Sequence, residues 1–374
     1  MVNETVSEEE LEELDPDEAE FRDNGYLDDD SNETPPSDIV SYNELRSCAD
    51  LFRMHNQGVL QIKPDFQRDF VWNGVAQTRF IDSLAKQLPI PSLCFAFDYR
   101  QNQWQVIDGL QRISTVIKFL DLKKPWRLSK LDDIDPKLSG KQTASKKTEK
   151  SNIPRFHSLI ENTQIPVNVL RCDFAKPRHM EYLFTIFHRL NSGGQKLNNQ
   201  EIRNCIFSGT FNQMLRDLDQ NNNWRLINNM KEGKNLRFVK QELILRVFAL
   251  FDNLNKYEGN VAKFLNSYML KHQNSDSDFI EGKSDLFTRS IEILYTKCLD
   301  EITTERIPIA ILEAALVGIM SNLDQLEATN ADAVRVKWLR LVTHESFSNE
   351  ALKEGLSKKE RVKGRVATAL DIFS

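Results

Sequence analysis

Apolar residues recur at helical spacing at two places in the first third of the chain. They occupy positions i, i+3, i+4 and i+7 in both segments: Ile81, Leu84, Ala85 and Leu88 in the first, and Ile113, Val116, Ile117 and Leu120 in the second. This spacing places the apolar side chains on one face of a helix. The pattern predicts a helix within NGVAQTRFIDSLAKQL, stopped by Pro89 and Pro91, and another that begins after Gly109.

Two further helices are predicted on either side of these. SYNELRSCADLFRMHNQG is interpreted as the first helix of the chain, ended by Gly58, and its predicted inward residues are Leu45, Ala49, Leu51 and Phe52. HMEYLFTIFHRL carries four apolar residues on one helical face: Met180, Leu183, Phe184 and Phe187. It leads into NSGGQKLNNQEIRN, where Asn198 and Glu201 have the spacing of a capping box, so a new helix is predicted to begin there.

Three segments between these helices are predicted as strands. They are SLCFAFD, QWQVID and IPVNVLRCDF, and the first two are joined by the polar turn YRQNQ. SLCFAFD is apolar on both faces, as expected for a strand that is covered on two sides. VLQIKPDFQRDFVW is predicted to be extended around Pro64, because a residue before proline avoids the helical region.

The order of these elements predicts an α+β fold in which helices dominate. A small mixed sheet with flanking helices comes first, and almost every segment after Glu201 is helical. From Asp121 to Ile153 the chain is rich in lysine and loses its periodicity, so we predict a partly mobile surface insertion there. The predicted domains are therefore residues 39–210, with the insertion at about 121–153, and a helical subdomain over 211–374.

Composition narrows the class of protein. The chain has 374 residues, of which 40% are hydrophobic, enough for a core in each of two subdomains. It has no apolar run of membrane-spanning length and no apolar segment typical of a signal peptide near its N-terminus. The five cysteines are scattered without a CxxC pair, which is typical of reduced core thiols. These features predict a cytoplasmic protein without membrane contact.

The net charge of −6 conceals two regions of opposite charge. Residues 1–38 hold sixteen acidic residues and one arginine, which leaves 48 basic and 39 acidic residues in 39–374, a net of +9. The first 38 residues are predicted to be a disordered acidic tail. Basic surface is expected from the lysines between Lys137 and Lys150 and from SKKERVKGRV near the C-terminus. Such a surface is either a solvated charged face or a DNA-binding surface. In the second case, the acidic tail would compete with DNA for it.

The segment VIDGLQRISTV contains the first candidate site, at the predicted turn from strand to helix. A helix N-terminus presents unpaired backbone N–H groups and attracts anions. Gly109 permits a positive φ and a close approach to a ligand, and Arg112 can contact phosphate oxygens through two N–H groups. Gln111 is a candidate for positioning a phosphate oxygen or a water, and Asp108 for contacting a sugar hydroxyl or a metal. The alternative is a plain turn with an ion pair between Asp108 and Arg112.

Two other segments contain candidate ligand-binding residues. In PDFQRDFVW, Arg68 lies between aromatic residues, where it either contacts a ligand or pairs with Asp65 or Asp69. In FHRLNSGGQKLNNQEIRN, the loop with Asn191, Gly193 and Gly194 can present backbone amides to an anion, although such glycines also end helices.

Taken in order, FQRDFVW, IDSLAKQLPIPSLCF, IDGLQRIST and FHRLNSGGQKLNNQEIRN resemble the N-terminal domain of GmrSD-type modification-dependent restriction enzymes. That domain is distantly similar to the ParB/sulfiredoxin-like fold, and the resemblance covers about residues 40 to 210. It implies a domain that binds and hydrolyses a nucleoside triphosphate and regulates nuclease action on phage DNA. The implied nucleotide-binding residues are Arg68, Gly109, Arg112, Asn191, Gly193 and Gly194, and the implied catalytic residues are Asp108, Gln111 and Arg112.

The chain departs from the family pattern at two points. The usual signature is Asp-Gly-Gln-Gln-Arg, but Leu110 replaces its first glutamine, which puts hydrolysis in doubt. Many relatives carry an HNH nuclease domain, whereas the histidines beyond residue 210, His272 and His344, lie in separate helical contexts, so no such site is expected. No GxxxxGK[ST] motif is present, so phosphate binding would depend on the helix N-terminus and on arginines.

These observations predict a nucleotide-responsive component of a bacterial DNA restriction or anti-phage defence system. A nucleoside triphosphate is the expected ligand, with Mg²⁺ as its counter-ion and Asp108 and Glu201 as candidate metal ligands. DNA is an expected partner, and so is a separate nuclease or defence-system subunit. Two alternatives stay open: a DNA-binding adaptor that has lost nucleotide chemistry, and a nuclease with an unrecognised site in the α/β half.

Overall fold

The chain folds into two compact units, Asn32–Leu197 and Asn198–Ser374, which we call the sheet unit and the helical unit. The computed structural model describes residues 35–62, 72–143, 153–190, 197–230, 238–302, 306–353 and 355–374. The predicted α+β class, dominated by helices, is confirmed. The sequence placed a domain boundary near residue 210, whereas the division at residue 198 groups the helix Asn199–Ile206 with the helical unit.

The sheet unit is built on a mixed sheet of five strands. These are β1 (Val40–Ser47), β2 (Leu60–Gln61), β3 (Leu93–Asp98), β4 (Gln103–Asp108) and β5 (Gln164–Cys172). The strand order is β1-β5-β3-β4-β2. β3 and β4 form an antiparallel hairpin, while β3 runs parallel to β5. β3, in the middle of the order, is buried along almost its whole length, as its apolar sequence predicted.

In the described part of this unit, five helices accompany the sheet: α1 (Cys48–Asn56), α2 (Gly74–Ala85), α3 (Leu110–Leu120), α4 (Ile153–Asn162) and α5 (Pro177–Leu190). Helices α1 to α4 pack on one another, and α5 packs against β4. The predicted amphipathic faces of α2 and α3 are confirmed, since Ile81, Leu84, Ile113 and Val116 have no solvent exposure. Leu88 is 49% exposed because α2 already ends at Ala85.

The predicted first helix is wrong over residues 41–47, which form β1 instead. This strand pairs antiparallel with β5, from Val40 opposite Arg171 to Ser47 opposite Gln164. The helix begins only at Cys48, where the Ser47 side chain accepts a hydrogen bond from the Asp50 N–H at 3.1 Å. Leu45 is therefore 63% exposed rather than inward. Local periodicity was misleading because the strand partner lies far along the sequence.

The interpretation of residues 121–153 as a mobile surface insertion is wrong for the part that the structure describes. Leu128, Ile134 and Leu138 are each buried and belong to the core of the sheet unit. Arg127 forms an isolated antiparallel bridge with Gln142. Residues 144–152 lie outside the described residues. The segment packs without helical periodicity because scattered apolar side chains, and not a repeating face, supply its core contacts.

The predicted acidic tail lies mainly outside the described residues, because the structure describes the chain from residue 35. Its last acidic residue, Asp38, is part of the fold. Its carboxylate accepts a hydrogen bond from Lys176 and contacts His179 Nε2 at 2.8 Å. These two contacts hold the pKa of Asp38 well below its usual range.

The helical unit contains ten α-helices within the described residues: α6 (Asn199–Ile206), α7 (Thr210–Asp219), α8 (Asn222–Ile227), α9 (Val239–Asn253), α10 (Val261–His272), α11 (Ser277–Ile293), α12 (Ile309–Ser321), α13 (Leu323–Ala328), α14 (Ala331–Val342) and α15 (Lys359–Phe373). A π-helical turn, Leu294–Cys298, extends α11, and short 3₁₀ turns span Leu254–Lys256 and Glu345–Phe347. Helix α12 packs against both α9 and α15 and is buried along nearly its whole length.

A buried ionic cluster connects three helices of this unit. Arg203 donates to Glu242 Oε2 at 2.8 Å, and Arg246 donates to Glu242 Oε1 at 2.7 Å. Arg203 also donates to Asn266 Oδ1 at 2.9 Å. All four side chains are at most 5% exposed, so Glu242 compensates two buried guanidinium groups at once. The two arginines in turn lower the pKa of Glu242, against the effect of burial.

The five cysteines form no disulfide, and four of them are buried, which confirms that they are mainly core residues. Burial raises the pKa of Cys48, Cys94, Cys172 and Cys298 to about 12, so these thiols stay protonated at neutral pH. Among the described residues, no helix has the length and apolar character needed to cross a membrane.

Candidate functional site

The turn from β4 to α3 is a single glycine. β4 ends at Asp108, α3 begins at Leu110, and Gly109 between them has φ 89° and ψ 19°. Gly109 thus adopts the positive φ that its residue type permits. A Cβ atom at this position would lie 2.2 Å from Leu93 Cδ2 and 3.2 Å from Arg112 Nη2. Glycine is therefore required both by the backbone conformation and by the closeness of β3.

Arg112 is held against the start of β3 and the end of β4. Its Nη2 donates to Asp108 Oδ2 at 2.6 Å, and its Nη1 donates to the carbonyl oxygens of Pro91 and, at 3.2 Å, Ser92. The ion pair that the plain-turn interpretation requires is thus present. The Arg112 side chain is 13% exposed and that of Asp108 is 37% exposed, so solvent reaches the carboxylate more than the guanidinium.

The N-terminus of α3 has the features of an anion site. Gly109 provides no side-chain cap, and the first helical hydrogen bond runs from the Ile113 N–H to the Gly109 carbonyl at 2.9 Å. A helix start leaves its leading N–H groups without intrahelical acceptors and carries partial positive charge. The Arg112 guanidinium adds a full positive charge within the same turn.

Gln111 connects this turn to the segment that follows Arg68. Its Oε1 accepts a hydrogen bond from the Trp72 N–H at 3.1 Å. The Trp72 carbonyl accepts from Gln77 Nε2 at 2.9 Å, and Gln77 Oε1 accepts from Lys118 Nζ at 2.8 Å. The backbone of Trp72 is thereby held on both sides, by one residue from α2 and one from α3.

Gln77 and Lys118 are positioning residues that the sequence reasoning missed. Gln77 is only 7% exposed, and the Lys118 ammonium lies 4.2 Å from the centre of the Trp126 ring. Burial lowers the pKa of Lys118. A polar residue among the apolar positions of α2 was the one local signal, and it did not reveal the partner on α3.

Four of the predicted nucleotide-binding residues, Arg68, Asn191, Gly193 and Gly194, lie outside the described residues. The flanking residues are described: Trp72 follows the first segment, and Leu190 at the end of α5 precedes the second. Their predicted roles stay predictions.

Glu201 is a helix-capping residue in the helical unit. Its Oε2 accepts a hydrogen bond from the Asn198 N–H at 2.7 Å, and Asn198 Oδ1 accepts from the Glu201 N–H at 2.8 Å. The predicted capping box is confirmed. Glu201 is 1% exposed, and within the described parts of the chain no group of three or more His, Cys, Asp and Glu side chains is arranged to hold a metal ion. Its proposed role as a metal ligand therefore gains no support from this geometry.

Residues 48–208 match the family described as GmrSD restriction endonuclease, N-terminal domain. The match confirms the resemblance carried by the sequence motifs and includes the whole turn from Asp108 to Arg112. It extends beyond the sheet unit into α6 of the helical unit. No curated protein and no solved structure matches the chain.

Proposed function

We propose that the protein binds a nucleoside triphosphate at the turn from Asp108 to Arg112 and uses it to regulate DNA binding or cleavage in a restriction or anti-phage defence system. The observation that carries this proposal is the combination of an uncapped helix N-terminus with Arg112 in the same turn, inside the region that matches the restriction family. Backbone N–H groups would hold phosphate oxygens, and the guanidinium would neutralise their charge.

Because Arg112 is paired with Asp108, phosphate binding requires that Arg112 exchange this carboxylate for a phosphate oxygen. A phosphate would compete with the Asp108 carboxylate for Nη2, while the bonds from Nη1 to the carbonyl oxygens of residues 91 and 92 keep the guanidinium in place. Release of Asp108 from Arg112 would leave a partly exposed carboxylate next to the bound phosphates. That carboxylate suits a Mg²⁺ ion, which would neutralise triphosphate charge.

The predicted contribution of Arg68 agrees with the position of Trp72. Arg68 lies four positions before Trp72, and an extended chain over four positions spans at most about 14 Å. Because Gln111 binds the Trp72 backbone at 3.1 Å, Arg68 is within chain reach of the turn. The proposal does not extend to hydrolysis, since Leu110, which replaces the family's glutamine, packs against the apolar core.

A thermal-shift series tests the proposal. ATP, GTP, CTP and UTP, each with Mg²⁺, are compared on wild-type protein and on Arg112→Ala. A ligand that binds only the folded state stabilises it by about 2.7 kcal/mol at a hundredfold excess over its Kd. We expect a nucleotide-dependent rise in Tm for the wild type that is lost in Arg112→Ala.

Arg79→Ala is the matched control for that experiment. Arg79 lies in the same unit and also pairs with a carboxylate, Asp133, at 2.9 Å, but away from the turn. Its variant should keep the nucleotide-dependent shift. If the shift is equally large in Arg112→Ala, or if no nucleotide shifts the wild type, the turn does not bind phosphate.

The second candidate is a DNA-binding adaptor that has lost nucleotide chemistry. The completed Asp108–Arg112 ion pair favours it, because that pair satisfies both side chains without a ligand. This alternative expects DNA affinity that falls steeply with salt and does not respond to any nucleotide.

A further inference from the structure

The helical unit contains a cavity of about 300 Å³ on the exposed side of α10. Three lysines and one glutamate line it: Lys256, Lys263, Lys271 and Glu258. The remaining lining residues are polar or aromatic, and the aromatic ones are Phe264 and Tyr268. This cavity lies beyond the region that matches the restriction family, which ends at residue 208.

The lysines follow one face of α10 and remain accessible. Lys263, Ser267 and Lys271 occupy successive turns of this helix, and each is exposed. Lys271 lies eight positions after Lys263, which corresponds to about 12 Å along the helix axis. Tyr268 is only 3% exposed, and its hydroxyl donates to Asp252 Oδ2, so this ring is fixed in the wall of the cavity beside the exposed lysines.

The single glutamate of the cavity is already paired. Glu258 Oε2 accepts from Lys359 Nζ at 2.7 Å, and this pairing lowers the pKa of Glu258. Lys359 begins α15, and Lys363 in the same helix donates to the Asn255 carbonyl oxygen at 3.2 Å. The basic C-terminal segment SKKERVKGRV therefore borders the cavity. Two stretches of positive charge, distant in sequence, form one basic surface.

We propose that this surface, which we call the α10 groove, binds the phosphate backbone of double-stranded DNA without reading its sequence. This inference rests on the role in DNA regulation proposed above and assigns a contact surface to it. Lysine, serine and asparagine side chains at a helix start are the groups that contact phosphates in protein–DNA complexes. Asn260 at the N-terminus of α10 and Ser267 supply the neutral members of that set.

The spacing favours a polymer with repeated phosphates over a single small anion. B-DNA carries one phosphate per strand for each 3.4 Å of its helix axis, so about 12 Å of lysine-bearing helix laid along that axis spans three or four nucleotides of one strand. Within the groove the positive side chains are all lysines, which act as point charges. Arginine, which recognises guanine with two hydrogen bonds, does not line it, so sequence-independent contact is expected.

The test is DNA binding by the full chain, measured by fluorescence anisotropy with a labelled duplex of arbitrary sequence between 50 and 200 mM salt. The variant is Lys263→Gln with Lys271→Gln, whose positions are exposed and leave the core unchanged. Loss of two phosphate contacts should reduce the slope of log K against log salt by about 1.8. At 0.1 M salt the same loss weakens binding about 60-fold, when affinities are referred to 1 M salt.

Lys123→Gln with Lys124→Gln is the matched control, because it removes the same charge from exposed positions of the sheet unit. It should keep the wild-type slope to within about 0.5, less than one phosphate contact. The proposal is overturned if the α10 variant binds DNA with the wild-type slope, or if both double variants lose affinity equally. It is also overturned if the α10 variant loses a nucleotide-dependent thermal shift and keeps its DNA affinity, since the groove would then be a nucleotide site.

Failure of this inference is distinguishable from failure of the proposed function. If the α10 variant keeps the wild-type slope of log K against log salt, and the nucleotide-dependent thermal shift depends on Arg112, only the inference about the α10 groove is contradicted. If the wild-type protein binds no DNA at 50 mM salt, both the inference about the α10 groove and the DNA part of the proposed function are contradicted.

Discussion

Gly109→Ala tests the geometry of the turn with one methyl group. The backbone of Gly109 has φ 89°, and an added Cβ would lie 2.2 Å from Leu93 Cδ2. A non-glycine residue in the left-handed region costs about 1–2 kcal/mol. Overpacking against a buried side chain adds about 1–3 kcal/mol. The variant should therefore lose about 2–5 kcal/mol of the free energy of unfolding.

Gly58→Ala separates the two contributions. Gly58 also has a positive φ, +71°, but nothing lies within 4 Å of an added Cβ, so only the backbone contribution of about 1–2 kcal/mol applies. Urea unfolding followed by circular dichroism gives both values as changes in midpoint at unchanged slope. In a Leu93→Ala background, the loss caused by Gly109→Ala should fall to that of Gly58→Ala. Equal losses for the two glycine variants in the wild-type background would refute the close packing of Leu93 against the turn.

Three further predictions concern stability and charge. Glu242→Gln should lower the free energy of unfolding by about 3–5 kcal/mol, because it removes the carboxylate that Arg203 and Arg246 share in a buried cluster, in which Glu313 lies 3.7 Å from Arg246. Glu327→Gln at the surface should change the free energy of unfolding by at most about 1 kcal/mol. Urea midpoints measure both. Burial raises the pKa of Asp219 from 3.8 to about 6 in the folded state. Between pH 3.8 and about 6 the folded state still holds a proton that the unfolded state has released. The free energy of unfolding therefore falls as the pH rises through this range. Asp219→Asn should remove that fall, so that the free energy of unfolding of the variant exceeds that of the wild type by about 3 kcal/mol at pH 7. Equal pH dependence of stability in the two proteins would contradict this prediction. Residues 1–34 hold fifteen acidic residues, and their deletion leaves Asp38 in the chain. This deletion should tighten DNA binding at low salt and have no effect at high salt. Unchanged DNA affinity at 50 mM salt would contradict competition between the tail and DNA.

Local patterns predicted those elements whose stabilising contacts are also local. The face of α3 and the capping box at Asn198 and Glu201 both depend on residues within two turns of each other, and both are confirmed. The sequence allowed a positive φ at Gly109, and the structure has it. The capping box uses the Glu201 carboxylate within its own helix start.

Contacts between distant parts of the sequence could not be predicted in this way. β1 was taken for a helix because its partner β5 begins more than a hundred residues later. The acceptors of Arg112 at residues 91 and 92 belong to the approach to β3, and no spacing in the motif indicates them. The bond between Lys118 and Gln77, which supports Trp72, joins two helices whose polar residues carried no recognisable pattern.

The central claim is that Arg112 binds nucleotide phosphate, and calorimetric titration tests it most directly. The nucleotide with the largest thermal shift is titrated, with Mg²⁺, into wild type, Arg112→Ala and the control Arg79→Ala. The account predicts one site per chain in wild type and Arg79→Ala, and at least tenfold weaker binding in Arg112→Ala, which corresponds to about 1.4 kcal/mol for one lost charge-assisted contact. Equal affinity in all three proteins would contradict it.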